Sequence, residues 1–180
     1  MHIFKFFYKF FIFSFFSLIV VIIGLYTHAY FSPPLKLNSV NSFFLYDNND
    51  NLIHQGNGVS DWTSLKDISE DLINAVLSVE DKNFYKHIGF DYLRIGKALI
   101  NNIKNKRIVE GASTISQQYI KNAYLEFDQT WSRKIKEALM TLNLEVHYSK
   151  DEILEAYLNT INYGNGKYGI NSASNYYFNK

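Results

Sequence analysis

Apolar side chains follow two regimes along this chain. From Phe10 to Leu35 there is no charged residue, and Phe, Ile, Leu and Val fill most positions, with Lys5 and Lys9 just ahead of the run. A helix rises about 1.5 Å per residue, so roughly 20 apolar residues cross the hydrocarbon core of a bilayer. The run is long enough to do so with some tilt. The competing reading is a cleaved signal peptide, whose apolar region is shorter and ends at a small-x-small site. Thr27-His28-Ala29-Tyr30 matches such a site poorly, which favours an uncleaved anchor over residues 1–35. The two flanking lysines place the N-terminus on the cytoplasmic side by the positive-inside bias, with the rest of the chain outside.

Beyond the anchor the period changes. Ser32-Pro33-Pro34 ends the first helix, because proline cannot continue one. Phe43-Phe44-Leu45-Tyr46, an Asx-rich turn over Asp47-Asn48-Asn49-Asp50, and Asn51-Leu52-Ile53-His54 read as a small β-hairpin closed by Gly56 and Gly58. These form a linker and hairpin over 36–63. From Ser64 to the end the pattern is helical. Leu72, Ile73, Val76 and Val79 recur at helix spacing, and Leu93, Ala98, Leu99 and Ile103 do so less strictly. Ile135, Ala138, Leu139 and Leu142 form a further stripe, and Ile153, Leu154, Tyr157 and Leu158 another. Ser113 and Ser149 are the expected N-caps of the helices that follow them. The part outside the membrane is therefore expected to be mainly α.

Charge and composition exclude more than they identify. The 18 basic and 17 acidic side chains nearly cancel, so no global field draws in nucleic acid, and phosphate would be met by a local cluster. With no cysteine, disulfides, thiolate metal sites and cysteine nucleophiles are all absent.

Three stretches carry candidate chemistry. Glu80-Asp81 follows the apolar helical segment ending at Val79 and precedes Phe84, His87 and Gly89. A carboxylic acid at the end of a packed helix, beside an aromatic ring, is partly desolvated, an environment that suits general acid or base work near neutral pH. Taken alone, an acidic pair at a helix terminus is more often a solvated end, and His87 more often a packed or capping histidine. Gly111-Ala112-Ser113-Thr114-Ile115-Ser116-Gln117-Gln118 turns into a helix N-terminus, where main-chain N–H groups and the helix dipole favour an anion. Gln117, Gln118, Lys121 and Asn122 add donors for pyrophosphate or sugar hydroxyls; the plainer reading is an ordinary capped helix with a polar face. Arg133-Lys134-Ile135-Lys136-Glu137 sets three cations around one acid. Arg133 and Glu137, at i and i+4, could simply pair on the surface. Otherwise Glu137 and these cations enter a groove facing Glu80, since two carboxylates flanking a glycosidic centre are the usual apparatus of sugar chemistry. Gly164 to Lys167 lacks the glycine spacing of a phosphate loop, and Tyr168 stands where such a loop has Ser or Thr.

Together these stretches resemble the glycosyltransferase domain of class A penicillin-binding proteins and monofunctional peptidoglycan glycosyltransferases, glycosyltransferase family 51. The residues that carry the resemblance are Glu80-Asp81-x-x-Phe84-x-x-His87-x-Gly89, Gly111-Ala112-Ser113-Thr114-x-x-Gln117-Gln118 and Arg133-Lys134-x-x-Glu137. They continue as Lys150-x-x-Ile153-Leu154-x-x-Tyr157-Leu158-Asn159 and Gly164-x-Gly166-x-x-Gly169-Ile170-x-x-Ala173-x-x-Tyr177-Phe178. Five motifs in order, over about residues 42 to 180, make the resemblance specific.

The resemblance implies a mainly α, lysozyme-like domain over 64–180, with a small membrane-facing lobe between the first two motifs and with the family's C-terminal core helices missing from this sequence. It implies an inverting hexosyltransferase that extends a glycan carried on undecaprenyl pyrophosphate with lipid II, forming β-1,4 links. Glu80 would be the base on the acceptor hydroxyl. Glu137, with Lys121, Arg133, Lys134 and Lys136, would organise the departing pyrophosphate, with a divalent cation (Mg or Mn) allowed beside them and no organic cofactor. Ser113, Gln117, Gln118 and Lys97 would contact substrate, while Asp81, Phe84, His87, Gly89, Gly111, Thr114 and Asn159 would shape the site. The implied setting is a single-pass protein of the bacterial cytoplasmic membrane, its catalytic domain on the outer side, working with other cell-wall synthesis proteins and without nucleic acid. The chain departs from the pattern at Gln129 and Lys97, where arginine is common, and at Asn179, where glycine is usual. It has no Ser-x-x-Lys, the mark of a penicillin-reactive transpeptidase. Two other functions compete: a lysozyme-like glycan-cleaving enzyme, and an inactive membrane-anchored binding module.

Overall fold

The computed structural model describes residues 2–37, 44–47, 52–55, 62–125 and 130–179. Helix α1 (His2–Phe31) is long, and its stretch Lys5–Phe31 is apolar enough to cross a membrane. It ends at the expected Ser-Pro-Pro. Strands β1 (Phe44–Tyr46) and β2 (Leu52–Gln55) pair antiparallel, Leu45 opposite His54, as the hairpin pattern predicts. The expected closing residues Gly56 and Gly58 lie outside the described residues.

Among the described residues six α-helices follow: α2 (Glu70–Glu80), α3 (Tyr92–Asn105), α4 (Ile115–Tyr124), α5 (Trp131–His147), α6 (Lys150–Thr160) and α7 (Ile170–Phe178). Helix α6 is the centre of the packing. Ile153, Leu154, Ala156, Tyr157 and Leu158 are all buried, against Ile115, Tyr119 and Ile120 of α4, Leu144 of α5, and Phe84. Burying a side chain of this size stabilises the fold by about 1.5–3 kcal/mol, so this cluster defines how α4, α5 and α6 sit together. Asn159 is buried in the same helix and clasps one residue, accepting from the Thr63 N–H and donating to the Thr63 carbonyl, both at 2.8 Å.

Capping fixes where the helices begin. Ser149 opens α6 in a capping box with Glu152, as its position predicts. Helix α4 differs: its cap is Thr114, not Ser113, again in a capping box, with Gln117. Thr114 is buried and its hydroxyl also donates to the Gly89 carbonyl at 2.7 Å, while Ser113 is exposed. Either hydroxyl is chemically suited to cap; the link to Gly89 selects Thr114.

Three apolar patterns overstate burial. Val79 is exposed, and α2 buries no residue completely. In α3 only Ala98 is buried, and Leu93 is 85% exposed. In α5 Ile135 and Leu139 are exposed, whereas Glu137, Thr141 and Asn143 are buried beside Leu142 and Leu144. Helical period shows which residues share a face, not what covers that face. The polar face of α5 is turned inward because its hydrogen-bonding partners lie there, as the site shows. The glycines from Gly164 to Gly169 form the expected tight connection between α6 and α7, with Gly164, Gly166 and Gly169 at positive φ.

Candidate active site

Glu80 is the last residue of α2, half-buried, and its carboxylate accepts a 2.8 Å hydrogen bond from Gln118 Nε2. The other end of that amide is also held: Gln118 Oε1 accepts from the Tyr157 hydroxyl at 3.1 Å. Burial, together with the negative charges of Glu80 and Asp81, pushes the Tyr157 phenol well above its ordinary range, so it stays a donor. A row of Tyr157, Gln118 and Glu80 results, crossing from α6 through α4 to α2. The Glu80 carbonyl accepts from the Arg94 guanidinium, which fixes the C-terminal turn of α2 from the side of α3.

Asp81 is 1% exposed and turned into the protein. Its oxygens accept from His87 Nε2 at 3.0 and 3.1 Å and from the Ile115 N–H at 3.0 Å. The first motif thereby grips the N-terminus of α4, where an acceptor satisfies one of the free N–H groups and complements the dipole. Phe84 is buried beneath the Lys150 ammonium, which lies 4.5 Å from the ring centroid. Gly89 sits at φ +84°, and a Cβ there would lie 2.9 Å from a Thr141 methyl; both the turn and the close approach of α5 require glycine.

Glu137 is the second acid, and at 2% exposure it is enclosed rather than open to a groove. Arg133 Nη1 meets it at 3.1 Å, Lys134 pairs with it, and Gln117 Nε2 donates to it at 3.3 Å. The i, i+4 pair expected on the surface is thus a half-buried one, which matters because a buried carboxylate needs such compensation. Gln117 and Gln118 are consecutive, about 100° apart around α4. Each holds one of the two acids, so both acids are referenced to a single helix. Arg133 Nε is buried and has no acceptor among the described residues.

Lys121, Lys136 and Lys97 are exposed, and among the described residues none makes an ion pair. Lys97 lines a cleft of about 480 Å³ together with Lys82, Arg94, Asp91 and Glu110, beside the end of α2. Gly111 is exposed at the approach to α4, and nothing lies near its Cβ position. Gln129 lies outside the described residues. Glu137 does not fit as a ligand for the divalent cation that the resemblance allows, because Arg133, Lys134 and Gln117 already occupy its oxygens.

Two contributors escape a reading of the chain by motif chemistry. Tyr157 belongs to the apolar stripe of α6, and only its hydroxyl, turned to Gln118, makes it part of the site. Glu145 is the other: it accepts from Ser116 and from Lys150, the latter at 2.8 Å, and so ties α4 to the start of α6. Nothing in the spacing of Glu145 separates it from a surface acid.

Comparisons with known proteins bear on the family of the chain. Residues 49–180 match the family model described as Transglycosylase. The chain is 55% identical over 119 residues to penicillin-binding protein 2D of Bacillus subtilis, covering 66% of this chain and 17% of that protein. It is 40% identical over 149 residues to penicillin-binding protein 4 of the same organism, covering 80% and 24%. To a biosynthetic peptidoglycan transglycosylase of Haemophilus influenzae it is 48% identical over 120 residues, covering 67% and 50%. The chain thus spans half or less of the length of each of these relatives. The match runs from the hairpin through every motif around Glu80 and Glu137, and on that ground the chain belongs to the transglycosylase family.

Proposed function

We propose that this chain is a peptidoglycan glycosyltransferase, anchored by α1 with its helical domain on the outer face of the cytoplasmic membrane. The observation that carries the reading is the division of labour across α4: Gln118 presents Glu80 as a half-exposed acid, while Gln117 holds Glu137 among cations. One acid is left able to take a proton, and the other is left to aim positive charge. The name of the Haemophilus influenzae relative, biosynthetic peptidoglycan transglycosylase, points to the same polymer.

In this reading Glu80 removes the proton from the acceptor sugar's 4-hydroxyl. The freed oxygen attacks the donor's anomeric carbon, the bond to the pyrophosphate oxygen breaks with its electron pair leaving on the lipid pyrophosphate, and the carbon inverts. Negative charge grows on the leaving group, and donors fixed in advance lower that barrier most. Arg133 and Lys134, held by Glu137, are such donors, with exposed Lys121 and Lys136 as further candidates. Glu137 itself acts through these cations and not on the sugar, consistent with its burial.

The test is turnover of purified lipid II by the full chain in liposomes, with products resolved by size. Polymerised glycan is expected. Shortening of preformed glycan strands would replace the proposal with a hydrolytic activity, and binding of lipid II without product would leave a binding module.

A further inference from the structure

Pro33 has no N–H, so it cannot donate to the carbonyl of Ala29, one helical turn earlier. Ala29 is nonetheless 3% exposed, packed against α5. A buried carbonyl with no donor costs about 1–3 kcal/mol, and the domain supplies the donors that α1 lacks. Asn143 Nδ2 reaches the Ala29 carbonyl at 3.3 Å and the Pro33 carbonyl at 3.1 Å, while Asn143 Oδ1 accepts from the Leu35 N–H at 3.2 Å. His147 Nε2 lies 3.2 Å from the Ala29 carbonyl and 3.0 Å from that of Ser32. Carbonyls only accept, so Nε2 carries the proton here. Tyr148 donates to the Leu35 carbonyl, and Tyr119 to that of Leu37 at 2.6 Å. Tyr30 stacks on the His147 ring.

We propose that Asn143 and His147 are positioning residues that lock the exit of the anchor to α5, making anchor and active site one rigid body. Helix α5 carries Glu137, Arg133 and Lys134 toward one end and this clasp toward the other. At about 1.5 Å per residue, Glu137 stands roughly 9 Å along the axis from Asn143 and roughly 15 Å from His147. The clasp therefore sets a fixed height of the cation cluster above the point where the chain leaves the membrane. A substrate whose pyrophosphate is tethered in the same membrane meets those cations at that height alone. This last step rests on the function proposed above; the clasp itself does not.

The chain has no cysteine, so two labelling sites can be introduced in the full-length protein in lipid nanodiscs: Val20→Cys on α1 and Ser132→Cys on α5, both exposed. The spin-label distance distribution should be narrow in the otherwise unchanged chain. It should broaden when Asn143 and His147 are both replaced by alanine, with far-UV circular dichroism unchanged. Asn143→Asp is a milder second variant that keeps the shape and the acceptor for Leu35 but turns donors into repelling oxygens; it should broaden the distribution too. His147→Gln, which keeps an N–H donor, should stay near the parent. A broad distribution in the parent, or a narrow one in both the double variant and Asn143→Asp, overturns the clasp. Polymerisation of lipid II in liposomes should fall about tenfold or more in the double variant, the penalty expected of misplaced reacting groups, with little change in detergent, where height is not imposed. Equal loss in both media would overturn the height role. A parent inactive in both would defeat the proposed function and leave the distance measurement to decide the clasp.

Discussion

The main-chain N–H of Ile115 donates to a carboxylate oxygen of Asp81 at 3.0 Å, joining the end of α2 to the first turn of α4. Glu80 precedes Asp81 and Gln118 lies one turn along from Ile115, so this single contact sets the spacing across which Gln118 meets Glu80. His87 Nε2 holds the same carboxylate at 3.0 Å. Asp81→Ala would leave the Ile115 N–H and the His87 ring without their acceptor in a buried place. A loss of about 3 kcal/mol or more is expected, with Asp81→Asn losing less because one acceptor remains. Urea denaturation of both variants measures this; a loss under about 1 kcal/mol for alanine would remove Asp81 as the link.

Glu80→Gln tests the base role with the frame intact. The amide can turn its oxygen to Gln118 and keep the 2.8 Å contact, but it cannot take a proton. Turnover should fall at least about a hundredfold while the melting temperature stays close to that of the parent. Activity near the parental level would move the base elsewhere.

Lys136 is exposed on α5 and makes no ion pair among the described residues, unlike Arg133 and Lys134. If it meets the leaving pyrophosphate, its charge-assisted contact contributes about 1.5–3 kcal/mol. Lys136→Ala should then slow turnover by about one to two orders of magnitude without altering stability. An unchanged rate would make Lys136 a solvated side chain.

The motifs made the site legible because they fix where special residues must lie: Gly89 under α5, Thr114 and Gln117 at a helix start, two acids with cations nearby. Burial was not legible to the same degree. Ile135 and Glu137 are two residues apart on α5, yet the apolar one is exposed and the charged one enclosed. Pattern reading assigns the inward face to apolar residues, and here the partners Gln117, Arg133 and Lys134 outweigh that preference. Leu93 and Val79 failed for a related reason, since nothing within the described residues covers them. The anchor's end was legible from Pro33 and Pro34, but its clasp by Asn143 and His147 spans more than a hundred residues of sequence, and no local pattern reports it.

Asp91 caps α3 through the Arg94 N–H at 2.9 Å and accepts from Asn83 Nδ2 at 3.0 Å. Those bonds, the Asn83 one foremost, hold its carboxyl below the usual aspartate range. A depressed folded value means that the contribution is fully present above the ordinary range, near pH 4, and is lost as pH falls through the lower folded value. Asp91→Asn retains a capping oxygen but cannot titrate. The stability difference between parent and variant should therefore be constant from pH 7 to about pH 5 and shrink below about pH 4. Urea midpoints across that range test it; a difference that grows on acidification would contradict the assignment.

Tyr157→Phe bears on the orientation of one amide. Gln118 offers a donor end and an acceptor end of nearly equal shape, and only its neighbours decide which faces Glu80. The Tyr157 phenol remains protonated, because burial and the nearby acids push its pKa up, so it donates and claims Oε1 at 3.1 Å. Nε2 is then left for Glu80. Without the hydroxyl the amide can flip, and Oε1 would confront the Glu80 carboxylate. The buried ring keeps its packing in phenylalanine, so stability should drop by only about 1 kcal/mol, the net worth of one hydrogen bond. Turnover should drop further, by about tenfold or more, through kcat rather than KM, because the misaligned group is the proposed base and not a proposed binding contact. Tyr157→Phe combined with Gln118→Glu should not recover activity, since a second carboxylate repels the first, whereas Gln118→Ala should make the Tyr157 substitution silent. If Tyr157→Phe slows the Gln118→Ala enzyme as much as it slows the parent, the hydroxyl acts on something other than this amide.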